Sequence, residues 1–146
     1  MSSATLYIDT SALAKWYLPE PYSDAVESLL DSVGSVLVSR LTSVEFRCLH
    51  QRKLRDQQIS KRVAQLNQQL FEDHLRQGIL HIAPLSDSCF ILADQLIAKM
   101  PDMPLRTLDA LHLAVAHATD CKQFATADKT QAGAARALGF KVHTFY

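Results

Sequence analysis

TLYIDTSALAKWYL, residues 5–18, decides the fold. Thr5 to Ile8 is a short strand-like run, and Ser11 to Leu18 has a helical pattern that Pro19 and Pro21 break. An acid, Asp9, stands where one pattern gives way to the other. A short apolar strand running straight into a helix is the opening unit of a parallel α/β sheet.

The same arrangement recurs along the chain. VLVSRLTSVEF at 36–46 passes from strand to helix and carries Glu45. LRTLDALHLAVA at 105–116 opens a helix with Asp109 in its first turn. FATADKTQAGAARALGF at 124–140 is again strand then helix, with Asp128 between them. Between these stretches the patterns predict helices over Ser23–Leu30, Leu41–Leu54, Ser60–Gln77, from a Ser86 cap to Lys99, over Thr107–Thr119 and over Thr130–Leu138. Gly78 and Gly139 act as helix stops. Strands are predicted at Ser35–Val38, Ile79–Ala83, Lys122–Ala125 and Lys141–Phe145. Short, almost wholly apolar strands alternating with helices imply a mostly parallel sheet of four to five strands, covered on both faces. At 146 residues the chain suits one domain spanning 1–146.

In such a sheet the strand ends on one edge converge, and ligands bind there. Two like charges about 4 Å apart repel by roughly 4 kcal/mol at a surface-like dielectric. Asp9, Glu45, Asp109 and Asp128 gathered on one edge therefore read as a site for Mg²⁺ or Mn²⁺, hard cations that prefer oxygen ligands. Each acid also has a structural reading. Asp9 and Asp128 can cap helices, although Thr10 and Ser11 offer capping hydroxyls of their own. Thr42-x-x-Glu45 matches a capping box, but Ser39 is the better cap and leaves Glu45 free to face the strand ends. Asp109 suits a helix dipole, and Lys129 stands beside Asp128. His112, three residues after Asp109, reads better as a packed or hydrogen-bonded histidine than as a metal ligand.

The bulk numbers narrow the class. Net charge is zero, yet 40–62 holds seven Lys/Arg against Glu45 and Asp56, a local +5 against −5 elsewhere. That asymmetry suits an anionic partner on one face or a solvated helix. Cys48, Cys89 and Cys121 lack CxxC spacing and read as small buried thiols in a reducing compartment. The N-terminus has no leader pattern and no run approaches a membrane span, so a cytoplasmic protein is expected. There is no H-E-x-x-H, no Gly-x-Ser-x-Gly and no glycine-rich phosphate loop among only four glycines.

In order and content these stretches resemble the PIN-domain family of metal-dependent ribonucleases, most closely the VapC-type toxins of bacterial toxin–antitoxin pairs. YIDTSALAKWY is similar to the family's opening motif, which places Asp9 as first acid and Thr10 and Ser11 as its hydroxyl positions. SRLTSVEF supplies Glu45, LRTLDALHLAVA is the most specific string and supplies Asp109, and FATADKTQAGAARALGFKV supplies Asp128. Some relatives carry a further acid in this last motif, where Lys129 and Gln131 stand here. The resemblance implies cleavage of RNA with Mg²⁺ or Mn²⁺, a PIN-like α/β/α sandwich, a homodimer, and inhibition by a cognate antitoxin. Arg40, Arg47, Arg52 and Lys53 are candidates for holding the RNA backbone. A receiver-like signalling domain lacks support, because no second acid adjoins Asp9 and none ends the third strand. A non-catalytic PIN-like binding module would be expected to have lost an acid. Leu41, Val44, Leu49, Val63, Leu66, Leu70 and Phe71, with Leu13, Trp16, Tyr17 and Leu18, are expected to exceed what one sheet face absorbs and to leave an apolar interaction patch.

Overall fold

The computed structural model describes residues 4–146; the N-terminal residues 1–3, part of the stretch read as leaderless, lie outside it. The elements run β1 (Thr5–Ile8), α1 (Thr10–Tyr17), α2 (Ser23–Ser32), β2 (Ser35–Ser39), α3 (Arg40–Arg55), α4 (Lys61–Arg76), β3 (Leu80–Ala83), α5 (Asp87–Lys99), α6 (Thr107–Ala118), β4 (Gln123–Thr126), α7 (Lys129–Ala137) and β5 (Lys141–Thr144). The strands form one sheet in the order β3-β2-β1-β4-β5, with every neighbouring pair parallel. The chain steps outward from β1 to β3, then returns to lay β4 on the other side of β1. That reversal opens a crevice at the carboxyl ends of β1 and β4, where doubly wound sheets bind ligands.

Parallel crossovers of one hand put helices made before and after the reversal on opposite faces. One core joins Leu6 and Ile8 to Leu13, Val26, Phe46 and Phe71, from α1 to α4. The other joins Tyr7 and Phe124 to Ala93, Leu96, Leu113 and Ala134, from α5 to α7. Successive strand side chains point to opposite faces, so Leu6 and Tyr7 serve different cores and the strand must be apolar throughout. The layers are helix, sheet, helix, as the alternation predicted.

The first core absorbs more than the sequence suggested. Phe46 stacks on Phe71 with ring centroids 4.6 Å apart, and Tyr17 meets Phe46 edge-on at 4.9 Å. Leu13, Tyr17, Leu18 and Phe71 are therefore buried rather than part of a surface patch. Trp16 stacks on His74, whose Nδ1 bonds the Tyr17 hydroxyl. Val44, Val63, Leu66 and Leu70 stay exposed on α3 and α4, joined on α5 by Phe90, Ile91 and Ile97. A second correction concerns the thiols: Cys89 and Cys121 are buried, but Cys48 is exposed, because its turn of α3 faces away from the core. Gly78 ends the α4 region with φ +75°, a left-handed conformation that glycine adopts without a Cβ penalty. Among the described residues no helix is long and apolar enough to cross a membrane.

Candidate active site

Asp9 leaves the sheet at its centre. Its amide donates to Ala125 O at 3.0 Å, continuing the β1–β4 ladder by one residue. Its side chain caps α1 after all: Oδ1 accepts from Ala12 N at 3.1 Å and from Ser11 Oγ at 2.6 Å. The helix begins one residue earlier than its pattern suggested, so Ser11 is inside it and braces the carboxylate instead of capping. Ser11 Oγ also accepts from Ala127 N at 3.0 Å, which ties the two strand ends together. Asp9 is only 4% exposed. Burial pushes its carboxyl above the ordinary range, against the pull of His112 and of the hydrogen bonds from Ser11, Thr126 and Ala12.

Glu45 reaches the same edge from α3. Ser39 caps that helix by accepting from Leu41 N, as its position after β2 suggested. Glu45 then lies more than a turn inside, and its Oε1 accepts from Thr10 Oγ1 at 2.8 Å and His112 Nε2 at 2.6 Å. His112 Nδ1 lies 2.6 Å from the Tyr7 hydroxyl. An ionised carboxylate can only accept, so Nε2–H is the donor of the Glu45 bond. Burial, then the Asp9 charge, holds the Tyr7 hydroxyl protonated. Burial also pushes the Glu45 carboxyl up, but the His112 and Thr10 contacts outweigh it and leave the pKa below the ordinary carboxylate value.

Asp109 and Asp128 form the other side. Asp109 Oδ2 accepts from Arg106 N at 3.2 Å in the first turn of α6. Asp128 caps α7, its Oδ1 accepting from Gln131 N at 2.8 Å. Gln131 Nε2 donates to Asp109 O at 3.0 Å and locks the two helix starts together. Arg106 joins the acids from outside, with Nε 3.5 Å from Asp109 Oδ2 and Nη2 4.0 Å from Asp128 Oδ2. Lys129, the basic neighbour in sequence, instead lies over the Tyr146 ring.

All four carboxylates, with Thr10, Ser11 and His112, line one cleft of about 550 Å³. Leu41, Val44, Leu49 and Leu108 supply its apolar wall, and Cys48, Arg52 and Arg106 also line it. Of the basic residues singled out above, Arg52 lines the cleft. Arg47 lines a separate groove between α3 and α4, Lys53 bonds Gln58, and Arg40 is an exposed residue at the start of α3. Arg106 and Tyr7 were not among the expected site residues. Only the i,i+3 spacing of Arg106 to Asp109 hinted at the first, and a tyrosine inside an apolar strand gave no hint of the second.

Among the described residues no three His, Cys, Asp or Glu side chains form a ready-made metal cage. The donor set nevertheless fits Mg²⁺ or Mn²⁺. Mg²⁺ keeps several waters and takes one or two carboxylates plus substrate phosphate instead of a closed protein shell. Among the described residues no Lys or Arg pairs with Asp9, whose Oδ1 is held by Ser11 and the Ala12 amide, and Asp109 and Asp128 already share one cation, the Arg106 guanidinium.

The family model for the PIN domain matches residues 6–137. Ribonuclease VapC46 of Mycobacterium tuberculosis is 31% identical over 141 residues, 95% of this chain and 96% of that protein. Among solved structures, Mycobacterium tuberculosis VapC20, described as a sarcin-ricin loop cleaving toxin, superposes with a TM-score of 0.70 at 17% identity over 92% of this chain and 95% of its own. VapBC2 from Rickettsia felis, bound to a DNA fragment from their promoter, gives 0.69 at 16% identity over 97% and 99%. At these identities the two structures show a shared fold.

Proposed function

Because the chain belongs to the PIN domain family, we infer that it is a divalent-metal-dependent endoribonuclease and the toxin of a type II toxin–antitoxin pair. The observation that carries this reading is the single cleft shared by Asp9, Glu45, Asp109 and Asp128. Asp9, Asp109 and Asp128, with Glu45 beside them, would hold Mg²⁺ or Mn²⁺. Such a cation, when bound, neutralises phosphate charge and lowers the pKa of an attacking water.

The chain's own residues do the rest. His112 and Thr10 both bond Oε1 of Glu45 and keep the group ionised, which leaves Oε2 to accept a proton from water or to orient it. Ser11 holds Asp9 in one rotamer. Arg52 supplies positive charge at the cleft for a ribose-phosphate backbone.

The named ribonuclease relative and the toxin among the structural neighbours support the activity. The VapBC2 complex supports a protein partner. A cognate antitoxin that places an Arg or Lys among the four acids would block the site, since a cation there replaces the metal's charge. A homodimer fits the exposed apolar residues of α3, α4 and α5, and a cytoplasmic location goes with an RNA substrate.

Purified chain free of partner, incubated with total bacterial RNA and Mn²⁺, should produce discrete fragments, stop in EDTA, and lose activity in Asp109→Asn. Unchanged cleavage in that variant would reject the site, and no cleavage under any divalent metal would reject the reading.

A further inference from the structure

We propose that Arg106 is a phosphate-binding residue of this site whose resting position on Asp109 and Asp128 must be given up when a divalent cation binds. The inference rests on the nuclease reading above and adds a residue and an order of events to it.

The guanidinium spans two carboxylates from different helices, at 3.5 Å from Asp109 and 4.0 Å from Asp128. These contacts are loose, and the side chain is 79% exposed while Asp109 is 18% exposed. The acids are thus held in place and the cation is the movable partner. Exposed pairs of this kind hold weakly, so a divalent ion competes easily for the same oxygens. Arg106 stands at the start of α6 and lines the cleft beside Arg52. Displaced from the acids, its planar fork of donors is in the cleft at the moment phosphate enters, and that fork matches phosphate oxygens in bidentate fashion. The backbone amide of Arg106, not its side chain, makes the hydrogen bond to Asp109 Oδ2. Truncating the side chain therefore leaves the helix start intact.

The two roles predict opposite signs for Arg106→Ala. Mn²⁺ binding, followed by calorimetry on the full chain without nucleic acid, should tighten about two- to fivefold as an internal competitor is removed. Binding of a fluorescein-labelled 20-nucleotide single-stranded DNA in saturating Mn²⁺ should weaken. The slope of log Kd against log salt should fall by about 0.7, the loss of one phosphate contact. Arg106→Lys should restore most of the slope. A purely structural role would weaken both ligands together and leave the slope unchanged, and that result overturns the proposal. So does unchanged Mn²⁺ affinity in a variant whose parent both binds Mn²⁺ and cuts RNA. A parent that binds no Mn²⁺ and cuts no RNA overturns the nuclease reading itself, and this inference with it.

Discussion

His112 Nε2 donates to Glu45 Oε1 at 2.6 Å across 67 residues of chain, and His112 Nδ1 hydrogen-bonds the Tyr7 hydroxyl at the centre of the sheet. One buried imidazole thus fixes a cleft carboxylate to the core. His112→Ala removes the Tyr7 hydroxyl's partner and leaves Glu45 Oε1 with Thr10 alone. We expect a loss of about 2–4 kcal/mol in urea unfolding, from the unsatisfied hydroxyl and the cavity together. Tyr7→Phe should cost only about 1 kcal/mol. Equal stabilities for parent and His112→Ala would refute the relay.

Asp9→Asn should leave the protein as stable as the parent at pH 7, or more so, while removing cleavage. Asparagine caps helices as well as aspartate. The folded pKa of Asp9 is raised, so its ionised form opposes folding. The parent, without metal, gains stability from this group as pH falls through that raised pKa towards 3.8. The advantage of the asparagine variant should therefore shrink on acidification. Thermal melts of both proteins in EDTA from pH 7 to pH 4 measure it, and a variant advantage that grows with acid contradicts the assignment.

Glu45→Gln carries the opposite sign. The folded pKa of Glu45 lies below its ordinary 4.5. Its contribution is thus present above 4.5 and lost as pH falls through the folded pKa. The variant should be less stable than the parent at pH 7 and approach it as pH falls below 4.5 through the lowered folded pKa. A constant difference across that range would show that the His112 contact does not depend on the Glu45 charge.

Cys48 should be the only thiol that reacts in the native fold. It is exposed at the cleft, whereas Cys89 and Cys121 are buried and burial pushes the Cys121 thiol up. Intact-mass measurement after treatment with a bulky maleimide should find a single adduct, and RNA cleavage should fall with it. Cys48→Ser should resist the reagent. Undiminished cleavage by fully labelled parent protein would place Cys48 outside the RNA path.

Much of the fold was legible because it is written in local periods. Apolar runs such as Leu6–Ile8, helical patterns, and stops such as Gly78 depend on neighbours a few residues apart, and the elements follow them to within a residue or two. Strand-to-helix switches at Asp9 and Asp128, and the cap at Ser39, were readable in the same way. The positions of the four acids were thus available from sequence, together with their likeness to the PIN motifs.

What only the tertiary structure decided depends on the order β3-β2-β1-β4-β5, a long-range outcome of where each crossover returns. That order lays α3 and α6 across the carboxyl ends of the central strands, so Glu45 meets His112 and Tyr7 supports the pair from 105 residues away. It sets Arg106, rather than the adjacent Lys129, against Asp128. It turns Cys48 outward and draws Tyr17 and Phe71 into one aromatic core. Periodicity says which face of an element is apolar. Which charged and aromatic groups come to share a space is fixed by the packing of several elements at once, and no local spacing carries that information.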